Sequence, residues 1–454
     1  MRKLLFFDNQ AVQTLTNMKR VMQKPVKYSD NPLFAADLPW EKGNLTLYGS
    51  VIKAKDRPFQ IWYSIIDEKW HFYLSYAESD DGIHWQKPEL GLFRIDGQKT
   101  NIVLDGDPHG PAILYDEKET REDWRYKMLC GAKPGNSIYA YHSADGINWV
   151  PVWRYPVITT GPDCPMGLLR LTDGRYVAYH RVFGTGRRVF RSESWDFIHW
   201  CNEPRLVFEP DTGDPPLTQF YGLGSAAYGN YELGTLWIYH VDPDDPSTMC
   251  GIQETELAYA RSGYNWHRAM QGVPFLSQGS PDSWESGNIQ MSSSPVFLDH
   301  EIRYYYAATE VRHARHWELL PQRAGLGLAT IVPDRFIGLA STGGKTGGLV
   351  TMAFKNGLGS FYINAAAASG GQVRAAVLDD AGLPLTGMDL EHSCPISGDN
   401  GCVRLTWQSE CGLMVTVPVG QQIRLQLELS SATLYAISQQ VDGENDRYDR
   451  FTAW

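Results

Sequence analysis

Apolar and polar side chains alternate in short runs along most of the chain, and clusters of Gly, Pro, Asp and Asn separate the runs. Clear examples lie at residues 59–64 and 71–77. Alternation with a period of two puts successive side chains on opposite faces of a β-strand, so each run is typical of a half-buried strand. The pattern therefore predicts an all-β protein built from many short strands.

A short phrase follows several of these runs. It is Ser-Asp-Asp-Gly-Ile-His-Trp at 79–85 and Ser-Ala-Asp-Gly-Ile-Asn-Trp at 143–149, with looser copies at 194–200 and 261–266. Asp-Gly favours a tight turn, because Gly tolerates φ > 0 and Asp bonds to its own backbone. Copies spaced by about 50 to 65 residues indicate the blades of a β-propeller rather than one sandwich.

The runs fall into five predicted blades of four strands each, which together form a five-bladed β-propeller at 31–340 behind an N-terminal lead-in at 1–30. The predicted strands are 46–54, 59–64, 71–77 and one that opens at Trp85; 112–115, 124–130, 137–142 and one at Trp149; 166–171, 175–180, 188–192 and one at Trp200; 222–228, 235–240, 256–261 and one at Trp266; and 290–298, 301–309, 325–331 and 336–339.

The composition changes after Leu339, where a Gly-rich connector occupies 341–348. Short alternating segments then follow, and turn residues separate them. This spacing predicts a C-terminal β-sandwich of about 100 residues. The sandwich domain is expected at 341–454, with a polar C-terminal tail from Val441 onward.

The net charge and the residue composition limit the classes of binding partner and the cellular compartment that we expect. A net charge of −11 argues against nucleic acid as a partner, because phosphates need a basic face. No apolar stretch approaches the roughly 18 residues of a membrane span. The seven cysteines form no C-x-x-C pair and are expected to be reduced and structural rather than zinc ligands. The apolar start ends at Asp8, too early for a signal peptide, so a cytoplasmic enzyme is expected.

Residues with side chains suited to catalysis or binding occur at the positions that a propeller exposes at one mouth of its central channel. The first strand of each blade lines the central channel, and the end of the second strand returns to the same mouth. The residues at these positions are acids, histidines, an arginine and aromatics, a set that suits a sugar pocket in which rings stack and carboxylates cleave the glycosidic bond. They are Tyr48, Asp107, His109, Asp163, His180, Arg181, Tyr221, His240, Trp284, Glu285 and Glu310.

We assign three of these residues to catalysis. Glu285 is the expected general acid, because the apolar Trp284 beside it favours the protonated form. Asp163, which lies between two prolines, is the expected partner carboxylate, as base or nucleophile, and Asp107 is expected to orient or modulate the pair. The expected substrate-binding residues are Tyr48, His109, His180, Arg181, Tyr221, His240, Trp284 and Glu310.

Purely structural roles are an alternative for several of them. Asp107 precedes a proline, where Asp is a common turn residue. His180 and His240 end apolar strands and are equally compatible with hydrogen-bonded core histidines. The aspartates of the repeated turns are expected to be structural; they are Asp81, Asp145 and Asp196.

Several segments resemble a large group of bacterial proteins described as glycoside hydrolase family 32-like, five-bladed propeller hydrolases. They are 31–33 with 39–41, 81–91, 174–179 and 283–287, together with 347–351 and 396–399 near the C-terminus. The resemblance implies a propeller followed by a sandwich, with acids around the channel. The motifs of the classical fructosidases are missing: Tyr48 and Gly49 stand where Asn-Asp-Pro is expected, no Arg-Asp-Pro occurs, and the only Glu-Cys pair lies at 410–411.

These observations favour a glycoside hydrolase that cleaves a furanoside, such as a fructo- or arabinofuranoside, or a related small glycan. One alternative is a non-catalytic carbohydrate-binding propeller. Another is a glycan phosphorylase or transglycosylase, because Arg181, Arg312 and Arg315 leave room for a phosphate. His and Asp converge at the mouth without a metal-ligand spacing, so neither a metal nor a cofactor is predicted.

Overall fold

The computed structural model describes residues 3–42, 44–67, 69–132, 137–159, 161–182, 186–201, 203–244, 250–313, 323–408 and 416–440. The all-β class is confirmed, since the only helix among these residues is a 3-10 turn at Glu122–Trp124. None of the described helical structure is long and apolar enough to cross a membrane. The chain divides into a propeller unit, residues 25–298 and 302–330, and a terminal unit, residues 1–24, 299–301 and 331–451.

Strands β1 (Lys3–Leu5), β2 (Val12–Thr16) and β3 (Met18–Met22) belong to the terminal unit. The propeller unit contains β4 (Val26–Lys27), β5 (Phe34–Ala35), β6 (Leu45–Lys53), β7 (Phe59–Ile66), β8 (Phe72–Ser79), β9 (Arg94–Ile95), β10 (Gln98–Lys99), β11 (Ile102–Leu104), β12 (His109–Tyr115), β13 (Tyr126–Gly131), β14 (Ile138–Ser143), β15 (Val150–Pro151), β16 (Pro162–Arg170), β17 (Tyr176–Val182), β18 (Val189–Ser194), β19 (Arg205–Phe208), β20 (Thr218–Tyr228), β21 (Tyr231–Val241), β22 (Gly251–Ala260), β23 (His267–Arg268), β24 (Asn288–Met291), β25 (Val296–Phe297), β26 (Ile302–Thr309) and β27 (Ala324–Ile331). The terminal unit resumes with β28 (Ile337–Ser341), β29 (Gly347–Thr351), β30 (Phe354–Lys355), β31 (Ser360–Leu378), β32 (Asp399–Arg404) and β33 (Gln422–Gln440).

The propeller unit is made of antiparallel sheets that follow one another along the chain. Three four-stranded sheets have the orders β6-β7-β8-β11, β12-β13-β14-β15 and β16-β17-β18-β19. A ten-stranded sheet then contains two groups of strands. One is β20-β21-β22-β23, and the other, the last group, lies around β24, β26 and β27. A single parallel bridge between Gln253 in β22 and Asn288 in β24 connects the two groups. Strands β9 and β10 pair only with each other.

The first strands of these groups lie side by side. Ile113 N donates to Ser50 Oγ at 2.8 Å between the first two groups, and Ser293 N donates to Gly49 O at 2.9 Å between the last and the first. The approach is closest at Gly110, where a Cβ would lie 1.7 Å from the sulfur of Cys164 in the next group. These contacts bring the beginnings of the first strands together around one axis.

The outer edge of the last group differs from the prediction. The segment 336–339 was expected to supply its fourth strand, but β28 instead pairs with β3 and β33 in the terminal unit. The edge of β27 is taken by β4 and β5, with Ala329 opposite Lys27 and Gly325 opposite Ala35. The last group is therefore completed from the N-terminal side of the chain, and alternation alone carries no information about which sheet a strand joins.

Two other edge strands also begin later than predicted. Trp85 and Trp200 do not open fourth strands, because residues beside or at them make only isolated bridges. The fourth strands of those sheets are β11 and β19. The repeated phrase instead closes a turn on itself: Asp81 Oδ1 accepts the N–H groups of Ile83 and His84, each at 2.8 Å. Asp145 and Asp196 repeat this arrangement.

The terminal unit includes residues that were expected to be a lead-in. Strands β1, β2 and β3 pair with β33, β29 and β28, respectively, so the described residues from Lys3 to Met22 contribute three strands to a sheet. The described strands of this unit form one hydrogen-bonded network rather than two separate sheets, because β31 and β33 are each 19 residues long and pair along most of their length. Alternating side chains of both strands fill its core, with Trp407 and Phe361. The predicted tail from Val441 lies outside the described residues.

Candidate functional site

The inner strands of the propeller unit surround a cavity of about 80 Å³. The first strands contribute through their N-terminal ends, and the second strands through their C-terminal ends, as the predicted mouth requires. The lining residues are Asn44, Leu45, Thr46, Tyr48, Ile66, Trp70, Phe72, His109, Tyr221, Asn288, Gln290, Thr309 and His313. Rings and neutral hydrogen-bonding groups alternate in this lining.

A chain of hydroxyl and imidazole groups runs along one side of the cavity. Tyr48 donates to the hydroxyl of Tyr221 at 2.7 Å, and the Tyr221 hydroxyl lies 2.9 Å from Nε2 of His313. Tyr239 holds the other nitrogen of that ring, at 3.1 Å from Nδ1. Burial, and then the neighbouring Tyr221, raise the pKa of Tyr48 well above its ordinary value, so its hydroxyl keeps its proton.

Stacked aromatic rings hold these hydroxyls in place. The ring of Tyr48 stacks on Trp237 at a centroid distance of 5.8 Å and on Tyr221 at 6.3 Å. The ring of His109 meets Tyr48 edge-on at 5.7 Å. Side chains locked by such packing offer their polar tips in a fixed direction.

His109 connects the cavity to an ion pair between the half-buried Asp163 and the buried Arg181. Its Nδ1 lies 3.3 Å from Oδ1 of Asp163, and Oδ2 of the same carboxylate accepts from Nη2 of Arg181 at 2.9 Å. Burial pushes the pKa of Asp163 upward, but the guanidinium of Arg181 and the imidazole of His109 outweigh burial and hold this pKa below its ordinary value. Asp163 is therefore a carboxylate at neutral pH, and it reaches the cavity lining through His109.

Arg181 is only 2% exposed. Its guanidinium lies over the ring of Tyr221 at 4.2 Å, and that of Arg187 lies 4.8 Å from the same ring. Within the described part of the chain, Nε and Nη1 of Arg181 have no hydrogen-bond partner. Both guanidinium groups therefore lie beside the cavity, and both lower the pKa of the half-buried Asp163 carboxylate.

Amide side chains also border the cavity; they belong to Asn44, Asn288 and Gln290. Asn288 is 4% exposed and donates to the carbonyl of Val311 at 2.6 Å. Its Oδ1 has no hydrogen-bond partner among the described residues. A buried acceptor left in this state is costly, and a ligand hydroxyl in the cavity would satisfy it.

Glu285 and Trp284, predicted to act at the mouth, do not line this cavity. The Glu285 carboxylate accepts from Lys27 at 2.8 Å through Oε1 and from the hydroxyl of Tyr306 at 2.8 Å through Oε2. Trp284 stacks on Tyr306 at 6.1 Å. Because Lys27 lies in β4, Glu285 ties the last sheet to its edge strand. This role was not visible in the sequence, since it depends on the pairing of β4 with β27.

The other predicted residues have local partners. His180 is buried, and its Nε2 lies 3.0 Å from Ser192 Oγ; burial lowers its pKa to about 4, as expected of a neutral core histidine. His240 Nε2 lies 2.9 Å from Glu254. Glu310 forms an ion pair with Arg323.

The structure also shows the contacts of Asp107 and of one of the arginines that were considered for phosphate binding. Asp107 accepts the backbone N–H of Phe72 at 2.9 Å. Arg312 pairs with Asp242 at 2.7 Å and is half exposed. Arg315 lies outside the described residues. Of the predicted site residues, the structure therefore gathers Tyr48, His109 and Tyr221 on the cavity wall, with Asp163 and Arg181 directly behind them.

Ten lining residues were not among the predicted site residues; three of them are Leu45, Thr46 and Ile66, and the other seven carry most of the polar and aromatic groups. Those seven are Asn44, Trp70, Phe72, Asn288, Gln290, Thr309 and His313. Asn44, Asn288 and Thr309 lie directly beside predicted inner-strand ends, so counting from those ends would have found them. Counting from strand ends was least able to find Trp70, because this residue lies in the turn between β7 and β8 rather than in a strand.

No family model and no curated protein matches the chain. Among solved structures, one described as showing that the GH130 family of mannoside phosphorylases contains glycoside hydrolases that target β-1,2 mannosidic linkages in Candida mannan is 16% identical, with 69% of this chain and 94% of that chain covered and a TM-score of 0.49. A glycosyl hydrolase from Bacteroides ovatus is 15% identical, with 69% and 95% covered and a TM-score of 0.48.

The α-L-arabinofuranosidase of Podospora anserina, in complex with cellotriose, is 12% identical, with 71% and 99% covered and a TM-score of 0.44. Likenesses at this level assign neither a family nor an activity to the chain. The resemblance to the family 32-like group stays a prediction, and the function is argued below from the cavity itself.

Proposed function

We propose that this chain is an enzyme that cleaves a glycosidic bond in the propeller cavity, with His109 as the proton-transferring group and Asp163 as the residue that orients it. The single observation that supports this most is the Asp163–His109 pair: the half-buried carboxylate lies behind the cavity, and the imidazole lines it. A carboxylate that accepts from Nδ1–H fixes the ring and leaves Nε2 to exchange a proton with a ligand.

Cleavage of a glycoside needs a proton on the leaving oxygen as its bond to the anomeric carbon breaks. Protonated His109 supplies that proton through Nε2. A water oxygen bonds to the anomeric carbon, and the proton that this water loses restores the imidazolium. The negative charge of Asp163, held ionised by Arg181, stabilises the protonated ring.

The lining favours a small polyhydroxylated ring as the ligand. Aromatic rings such as Phe72 and Tyr221 suit the C–H face of a sugar, while Asn288 and Gln290 suit its hydroxyl groups. A cavity of about 80 Å³ encloses no more than part of a glycoside. We therefore propose a furanoside, such as a fructo- or arabinofuranoside, or a related small glycan as the substrate.

The test is a screen of p-nitrophenyl furanosides and pyranosides with the wild type and two histidine variants. His109→Gln is expected to lower kcat at least 100-fold, because general acid catalysis contributes about 10²–10⁴. His392→Gln is the matched control: this histidine also pairs with an aspartate, Asp389, and is similarly exposed (27% against 22% for His109), but it lies in the terminal unit.

Two results would contradict the proposal. Wild-type turnover in His109→Gln would remove the proposed role of that ring. Binding of sugars without turnover of any glycoside in the screen would favour the carbohydrate-binding propeller instead.

The second candidate is phosphorolysis, in which phosphate replaces water as the nucleophile. Arg181 and Arg187 favour it, because both guanidinium groups lie over the ring of Tyr221, which lines the cavity, and Arg181 has two N–H-bearing nitrogens with no partner among the described residues. Product formation that requires inorganic phosphate and yields a sugar phosphate would establish this reaction. Equal rates with and without phosphate would exclude it.

A further inference from the structure

Trp70 stands out among the residues that line the cavity. It lies at the turn between β7 and β8, it is 41% exposed, and it is the only tryptophan among the lining residues of the described structure. A large exposed ring beside a polar cavity calls for an explanation, since surface tryptophans are common at binding sites.

The backbone holds Trp70 in an unfavourable conformation. Its φ is +63°, in the left-handed region that bulky side chains avoid. The turn is built around Asp67: its Oδ1 accepts the N–H groups of Lys69 at 2.8 Å and His71 at 2.9 Å, and its carbonyl accepts the N–H of Trp70 at 3.0 Å. Strained positions of this kind concentrate at functional sites, because folding alone would favour glycine there.

The Trp70 turn is also tied to the segment that carries His109. The ring of His71 forms a hydrogen bond with Asp105, and the N–H of Phe72 donates to Asp107 at 2.9 Å. Asp107 thus has a positioning role in this arrangement, since it fixes the start of β8 beside His109. The tryptophan and the histidine are therefore mounted on two segments that are joined to each other.

We propose that Trp70 is the stacking platform for the ring that extends out of the cavity, so that the substrate is a glycoside with a second ring on the far side of the scissile bond, such as a disaccharide. This inference rests on the proposed function. The cavity of about 80 Å³ leaves no room for two rings, so a second ring has to lie at the rim, where Trp70 exposes its indole.

The experiment compares two ligands that differ only outside the cavity. Titration calorimetry measures the affinities of the methyl and the p-nitrophenyl glycoside of each sugar in a panel of pentofuranosides, hexofuranosides and hexopyranosides. The p-nitrophenyl ring is the probe for stacking. The wild type is expected to bind the p-nitrophenyl glycoside of at least one sugar about tenfold more tightly than its methyl glycoside.

Trp70→Gly is the decisive variant, because glycine accepts φ +63° without strain and the turn is retained. It is expected to lose the tenfold preference for the p-nitrophenyl glycoside over the methyl glycoside, while Trp70→Phe keeps part of the preference. Trp153→Gly is the control, since Trp153 is 51% exposed and does not line the cavity.

The outcomes separate this inference from the proposed function. An unchanged preference in Trp70→Gly, or no preference in the wild type for any sugar of the panel, overturns the role of Trp70. Turnover of the same p-nitrophenyl glycosides is followed in parallel: a preference that depends on Trp70 in a protein without turnover upholds the platform and contradicts the cleavage reaction.

Discussion

Two carboxylates of the propeller unit, Asp163 and Glu285, were predicted as a catalytic pair, and the structure gives them different surroundings. Both bind a cation and a second donor. The donors of Glu285 are Lys27 and Tyr306, which join two parts of one sheet. The second partner of Asp163 is His109, which lines a cavity.

The difference shows that partners, more than residue type, separate a structural acid from a candidate catalytic one. The partners of Glu285 lie in strands β4 and β26 and not at the cavity, and the hydroxyl of Tyr306 keeps its proton, since burial and then Glu285 raise its pKa far above the ordinary value. The carboxylate of Asp163 instead contacts the imidazole of His109, which borders the cavity.

Asp163→Asn is expected to lower the free energy of unfolding by about 3–5 kcal/mol, because it leaves the buried guanidinium of Arg181 without its counter-charge. Urea denaturation at pH 7 measures the change. The variant Asp163→Asn with Arg181→Met is the control, and it should recover part of the loss. A loss below about 1 kcal/mol would mean that the ion pair contributes no more than a surface ion pair does.

His180→Gln is expected to change how stability depends on pH. Burial lowers the pKa of His180 from 6.5 to about 4, so between these values only the unfolded state takes up the proton and stability falls as the pH falls. At about 1.4 kcal/mol per pH unit, the wild type should lose about 3 kcal/mol more than the variant between pH 7 and pH 4. Equal losses in both proteins would show that His180 is hydrated and accessible to protons.

Glu285→Gln is expected to cost about 1–2 kcal/mol, since an amide keeps the hydrogen bond from Tyr306 while Lys27, 27% exposed, can turn to water. Thermal unfolding checks the change, with Glu254→Gln as a control in another ion pair. A loss as large as that of Asp163→Asn would remove the contrast between the two carboxylates.

The sequence was sufficient for the fold class and for the inner strands. Alternation and the repeated turn located β6–β8, β12–β14, β16–β18 and β20–β22 to within a few residues, because each strand is coded by its own side chains. The edge strands were harder to predict from the sequence. Pairing of β4 and β5 with β27 joins segments about 300 residues apart, and no local pattern records such a partner.

The residues of the candidate site also fall into those that local sequence patterns predicted and those that depend on distant pairing or on turn geometry. Tyr48, His109 and Tyr221 were found by counting from strand ends, because a propeller brings those ends to one axis. Trp284 and Glu285 were misplaced, since their direction depends on the edge strand that β27 recruits. Trp70 was missed because its position follows from a strained turn, which alternation does not predict.

The central claim is that the catalytic proton passes through His109 and not through Glu285. The most direct test is the turnover of one p-nitrophenyl glycoside by His109→Gln and Glu285→Gln, measured side by side on protein shown to be folded. We expect a loss of at least about 100-fold for His109→Gln and a rate within about threefold of the wild type for Glu285→Gln. The reverse order, with Glu285→Gln inactive and His109→Gln active, would contradict this claim.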